Sequence, residues 1–176
     1  MSLAVFLRGV NVGGHRTFRP KALAERLADF DVVNVGAAGT FVVRKPGSAV
    51  KLETAILQAL PFEADIVLRE GRDVIRLEDE NPFGKERVHS DRVQFVSLPC
   101  GNGRIRPTLP ITLPAEGKWL LRIVDVKRRF IFGEYRRHMK TIGYLGQLDK
   151  LLGVPVTTRN WNTMLAVARI LKSEGE

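Results

Sequence analysis

The side chains able to do chemistry gather in two short stretches. Near the start runs Arg8-Gly9-Val10-Asn11-Val12-Gly13-Gly14-His15, with Arg16 and Arg19 close behind. Gly9, Gly13 and Gly14 permit backbone shapes that other residues resist. A loop with exposed amides between a strand and a helix can hold an anion, and Arg8, Asn11 and His15 would add side-chain donors. The spacing is not the dinucleotide fingerprint, and it lacks the Gly-Lys-Ser/Thr ending of a phosphate loop. Both kinds of nucleotide enzyme are therefore disfavoured. A purely structural loop, whose glycines relieve crowding, accounts for the same residues.

Near the other end, Arg159-Asn160-Trp161-Asn162-Thr163 presents one planar guanidinium and two amides. These can meet a ligand, or cap a helix and pair with buried polar groups. Trp161 reads as a packing anchor. Other chemistries find no residues to carry them. His15, His89, His138 and Cys100 are too widely spaced for a zinc site, and no Gly-x-Ser-x-Gly elbow occurs. Asp79-Glu80 reads as a solvated face. No catalytic residue, metal or cofactor is assigned. Cys100, the one cysteine, allows no internal disulfide and reads as a small buried hydrophobe.

The 176 residues carry 28 Lys and Arg against 19 Asp and Glu, for a net charge of +9, and 44% are hydrophobic. That apolar content argues against disorder. Residues 1–88 hold only +1, and the remainder +8. The excess is densest at Lys127-Arg128-Arg129 and at Arg136-Arg137-His138-Met139-Lys140. A focused positive surface attracts nucleic acid or phosphorylated ligands; a solvated basic face is the plain alternative. No segment nears the roughly 20 apolar residues of a membrane span. The apolar start is too short for a signal peptide, so a cytoplasmic location is expected.

Elements must position these groups. Leu3–Leu7 reads as a buried strand. Leu23, Leu27 and Phe30 have helical spacing, with Pro20 in the first turn. Val32–Val35 and Phe41–Arg44 are strands flanking a small turn. Ser48 caps a helix through Leu52, Ile56 and Leu60, and Asp65–Leu68 is a strand. The order predicts a ferredoxin-like split βαβ subdomain over residues 1–69. Residues 70–176 then form a second α+β subdomain ending in two helices: a helix over Gly71–Leu77, a strand over Val93–Leu98, and paired strands at Trp119–Val124 and Phe130–Phe132. Leu145, Leu148 and Leu152 mark one helix; Trp161, Leu165, Ala168 and Leu171 mark the last, capped by Thr158 or Asn160. With no long linker between them, the two α+β subdomains are expected to pack together. Phe95, Phe130 and Phe132 fit core packing better than base stacking.

The stretches Phe6–His15 and Gly153–Thr163, which contain the two motifs, with Asn81-Pro82-Phe83 between them, resemble the DUF1697 family of bacterial proteins of unassigned function. The resemblance implies an α+β protein with ferredoxin-like subdomains, and no substrate, cofactor or catalytic residue. The family's Ser-Gly-Asn turn is here Ala37-Ala38-Gly39-Thr40, which removes two polar side chains. Three functions stay open: a non-catalytic binder of a phosphorylated small molecule or nucleic acid; an enzyme using Arg8, Asn11, His15 and Arg159 on a small polar substrate; and a structural or regulatory interaction module.

Overall fold

A computed structural model describes residues 1–10, 17–85, 87–105 and 107–173. The chain forms two compact units, Met1–Asp79 with Leu165–Glu176, and Glu80–Met164. Among the described residues there are two antiparallel sheets and six α-helices, an α+β architecture.

The first unit begins β1 (Leu3–Arg8), α1 (Pro20–Arg26), a turn of 3₁₀ helix at Ala28–Phe30, and β2 (Val32–Asn34). It continues with β3 (Thr40–Val43), α2 (Ala49–Ala59), β4 (Asp65–Glu70) and α3 (Gly71–Asp79). The sheet order is β2-β3-β1-β4, with every neighbour antiparallel. β1 is central and buried on both faces, which is why Leu3–Leu7 is continuously apolar rather than alternating. Val5 and Leu7 pack with Leu23, Leu52 and Ile56 from the helices. Leu52 and Ile56 are almost wholly buried, each worth about 1.5–3 kcal/mol. The Ser48 side chain accepts from the Lys51 amide at 3.2 Å, as its capping role requires. At the departing turn, Gly39 has φ +80, and a Cβ there would lie 2.9 Å from Leu7 Cβ. The Leu7 amide donates to the Gly39 carbonyl at 2.8 Å, so the turn presses onto β1 where a side chain has no room.

The sequence division at residue 69 differs from that of the compact units. α3 follows β4 without a gap, and the Gly71 amide bonds to the Ser2 carbonyl at 2.9 Å. Lys172 pairs with Glu78 at 2.6 Å, so the end of the last helix lies against α3.

The second unit holds β5 (Arg92–Pro99), β6 (Ile111–Leu113), β7 (Leu121–Lys127), β8 (Phe130–Arg136), α4 (Thr141–Leu145), α5 (Leu148–Leu152) and β9 (Val156–Asn160). α6 (Trp161–Lys172) follows β9 directly and runs on into the first unit. The strands order as β6-β7-β8-β5-β9, all antiparallel. One sheet face carries Phe95, Leu121, Ile123 and Ile131 against Leu148 and Leu152. Phe95, Phe130 and Phe132 are buried, in the core rather than on a stacking surface. Asn81 builds its own turn: its Oδ1 accepts from the Phe83 amide at 3.1 Å and its Nδ2 donates to the Gly84 carbonyl at 2.9 Å. That turn presents Phe83 to Trp161 and Phe132, with ring centroids 5.3 and 6.0 Å away. Trp161 is thus the packing anchor its motif suggested. Cys100 is only half-buried, at the end of β5 rather than inside the core.

Candidate functional site

The site grows from a strand alternation. On β5, Val93 and Phe95 alternate with Arg92 and Gln94, so the latter two share the sheet face opposite Phe95. Cross-strand register extends this polar face. Gln94 lies opposite Glu134, and Glu134 opposite Arg122; Arg92 lies opposite Arg136. Three guanidiniums therefore surround Trp119, with central carbons 4.2 Å (Arg136), 4.3 Å (Arg122) and 5.3 Å (Arg92) from its ring centroid. Such stacking is worth about 0.5–2 kcal/mol per pair.

Two of the three are neutralised. Arg122 donates from Nε and Nη2 to Glu134 Oε2 at 2.8 and 2.6 Å. Arg136 reaches Asp91 at 3.1 Å and the Trp119 carbonyl at 2.9 Å. A desolvation effect raises the Asp91 carboxyl, but the hydrogen bond and charge of Arg136, with Arg92 nearby, outweigh it and hold the group below its ordinary value. Among the described residues Arg92 has no hydrogen-bonded carboxylate, only the charge of nearby Asp91. Its Nε is buried and lacks an acceptor among the described residues.

Arg92 lines a pocket of about 280 Å³. Its walls come from the Val88–Ser90 loop, the start of β5, Arg137, and the β9–α6 junction at Asn160, Trp161 and Asn162. The loop is held by the Arg92 amide donating to the His89 carbonyl at 3.0 Å and by Arg137, whose amide bonds Asp91 and whose Nε bonds the Ser90 carbonyl at 3.3 Å. At the junction, Asn160 Oδ1 accepts from both the amide and the hydroxyl of Thr163 at 2.8 Å. Asn160, not Thr158, is thus the cap of α6. Among the described residues no carboxylate lines this pocket.

The other sequence candidates fall elsewhere. Asn11, Gly13, Gly14 and His15 lie outside the described residues. Arg8 belongs to the first unit, ion-paired to Asp65 at 3.0 Å beside a cavity of about 750 Å³. That cavity also has the apolar wall Leu57, Leu60 and Phe62, and Asp65 and Glu63 more than offset the charge of Arg8. Arg159 is buried in the second unit, donating to Thr157 Oγ1 at 2.7 Å and the Thr158 carbonyl at 2.9 Å; burial lowers its guanidinium to about 10. It does not line the pocket that holds Asn160 and Asn162.

The basic run, contiguous in sequence, is two clusters in space. Lys127, Arg128 and Arg129 sit at the β7–β8 turn, while Arg136, Arg137 and Lys140 lie at or beyond the far end of β8. Seven strand residues separate them by roughly 20 Å. Lys127 pairs with Asp125 at 3.2 Å, Arg128 with Glu80 at 2.5 Å, and Arg129 donates to the Gly101 and Gly103 carbonyls. Sequence reasoning missed Arg92, Gln94, Ser90 and Trp119. The Arg-Val-Gln-Phe alternation was the available signal for the first two.

The architecture defines an α+β protein of two antiparallel sheets with a cationic pocket beside one of them. The chain belongs to the family described as "Protein of unknown function (DUF1697)", whose model matches residues 1–105. Among solved structures, the conserved bacterial protein SP0830 from Streptococcus pneumoniae is similar with a TM-score of 0.57 and 16% identity, over 97% of this chain and 98% of that one. At that identity the likeness is one of fold. No curated protein matches the chain.

Proposed function

We propose that this protein is a non-catalytic binder of an anionic ligand, and that the pocket at the start of β5 is its site. One observation carries the reading. Arg92 and Arg137 share a pocket with no lining carboxylate among the described residues. An anion held between two guanidiniums makes charge-assisted hydrogen bonds, roughly twice as strong as neutral ones. Asn160 has its oxygen engaged by Thr163, which leaves its amide hydrogens as donors. The α6 N-terminus adds partial positive charge to the same wall.

Two anion classes fit such a site, a phosphorylated small molecule and nucleic acid. The size favours the first: 280 Å³ lies at the lower edge of small-molecule clefts, about 300–1,000 Å³. The separation of the two basic clusters also favours it, because a groove tracking a nucleic-acid backbone needs continuous positive charge.

Calorimetric titration with inorganic phosphate and sugar phosphates at about 50 mM salt tests the reading, beside mobility shifts with single- and double-stranded probes. Saturable binding of a small phosphate, lost in Arg92→Met and Arg137→Ala, is the expected result. Absence of binding by every anion at that salt would overturn it.

A further inference from the structure

Resting on that anion-pocket reading, we infer that the ligand's charged group is a terminal phosphate, a phosphomonoester on a small polar body, rather than an internal phosphodiester or a carboxylate. Three features point there. The first is charge. Arg92 and Arg137 bring two guanidiniums with no lining carboxylate among the described residues. A phosphomonoester carries about −1.5 to −2 at neutral pH, whereas a diester or carboxylate carries a single charge.

The second is the donor inventory. The two guanidiniums, the Asn160 amide, the Ser90 hydroxyl and a ring nitrogen of His89 can all donate. Three terminal phosphate oxygens can accept from that many donors. The two free oxygens of a diester or carboxylate reach fewer of them, so the monoester makes more charge-assisted contacts.

The third is shape. The Val88–Ser90 loop, Arg137 and the β9–α6 junction line a half-open pocket of about 280 Å³. A terminal group reaches its floor end-on, whereas an internal diester must bring two chain arms through the same opening. The remaining polar side chains, Gln94 and Asn162, are amides that both donate and accept. They suit a hydroxylated or amide-bearing body with no further charge.

The test compares ribose 5-phosphate, its methyl phosphodiester, gluconate and ribose by calorimetry on the full chain. Ribose 5-phosphate is expected to bind at least about tenfold tighter than the diester and gluconate, since each charge-assisted contact is worth a factor of that order; ribose is expected not to bind. Arg137→Ala, at an exposed position, should lose at least about tenfold for the monoester and much less for the diester. Equal binding of monoester and diester would overturn this inference and leave the anion reading standing. No binding by any of the three anions to the folded protein would overturn both.

Discussion

Replacing Arg92 by Met should make the unliganded protein more stable and its ligand response vanish. The magnitude follows from three contacts. Burying Nε without an acceptor costs about 1–3 kcal/mol, and the substitution removes that donor. Arg92 lies directly opposite Arg136, but the Asp91 carboxylate attracts both guanidiniums, so the charge contributions nearly cancel. Against the gain, stacking on Trp119 at 5.3 Å is lost, about 0.5–1 kcal/mol. The flexible Met side chain retains much of the apolar contact of the Arg stem. The balance is a gain of about 1 kcal/mol, or roughly 2–4 °C for a chain of this size. A ligand at a hundred times its Kd stabilises the parent by about 2.7 kcal/mol and the variant not at all, so the order of stabilities reverses on adding ribose 5-phosphate. Thermal unfolding followed by circular dichroism, in phosphate-free buffer and then with the sugar phosphate, reads both limbs. If Arg92→Met melts below the parent in phosphate-free buffer, the unmet donor is not a source of instability and the reasoning fails.

Other positions offer independent checks. A Cβ on Gly133 would lie 2.2 Å from Phe95 Cζ, so Gly133→Ala should lose about 3 kcal/mol in urea unfolding; Phe95→Leu in the same chain should recover part of it, and strict additivity would contradict the steric account. Asn160→Ala removes the α6 cap and should cost about 1 kcal/mol. Asn160→Asp should keep the cap yet weaken phosphate binding, because it places a carboxylate in the pocket; unchanged affinity would argue against Asn160 as a ligand contact. The Asp91 carboxyl is depressed in the fold from an ordinary 3.8, so its contribution is present above that pH and is lost as pH falls through the folded value. Asp91→Asn should therefore melt below the parent above about pH 5, with the gap closing toward pH 2; parallel melting curves across that range would remove the pair from the stability account.

What the chain revealed in advance was local. The unbroken Leu3–Leu7 run, the Ser48 cap and the apolar spacing of Leu52 and Ile56 depend on neighbours within a turn or a strand, and all three appear as expected. β9 escaped notice because Thr157, Thr158 and Arg159 are polar, and Arg159 is nonetheless buried. β6 is three residues long and flanked by prolines, below any periodic signal. The helix expected through Leu145, Leu148 and Leu152 is two short ones, parted at Gly146–Gln147. The site was legible only in pieces. Asn160, Asn162 and Arg137 were singled out, but their meeting with Arg92 depends on β5 lying between β8 and β9, pairings that join residues 34 to 65 positions apart.

The β7–β8 turn has a consequence for proteases. Arg128 and Arg129 both hold left-handed backbone angles, φ 45 and 65, in a two-residue reversal between Lys127 and Phe130. Lys127-Arg128-Arg129 is the kind of basic segment trypsin cuts, yet a protease cleft takes its substrate extended, and this segment is tightly turned with Arg128 tied to Glu80 and Arg129 to the carbonyls of Gly101 and Gly103. Cleavage there must wait for the hairpin to open. Where closing outpaces cutting, the nicking rate follows the population of the open form. Limited trypsinolysis at this turn would then serve as a gauge of how often the second sheet comes apart, with no spectroscopic label required.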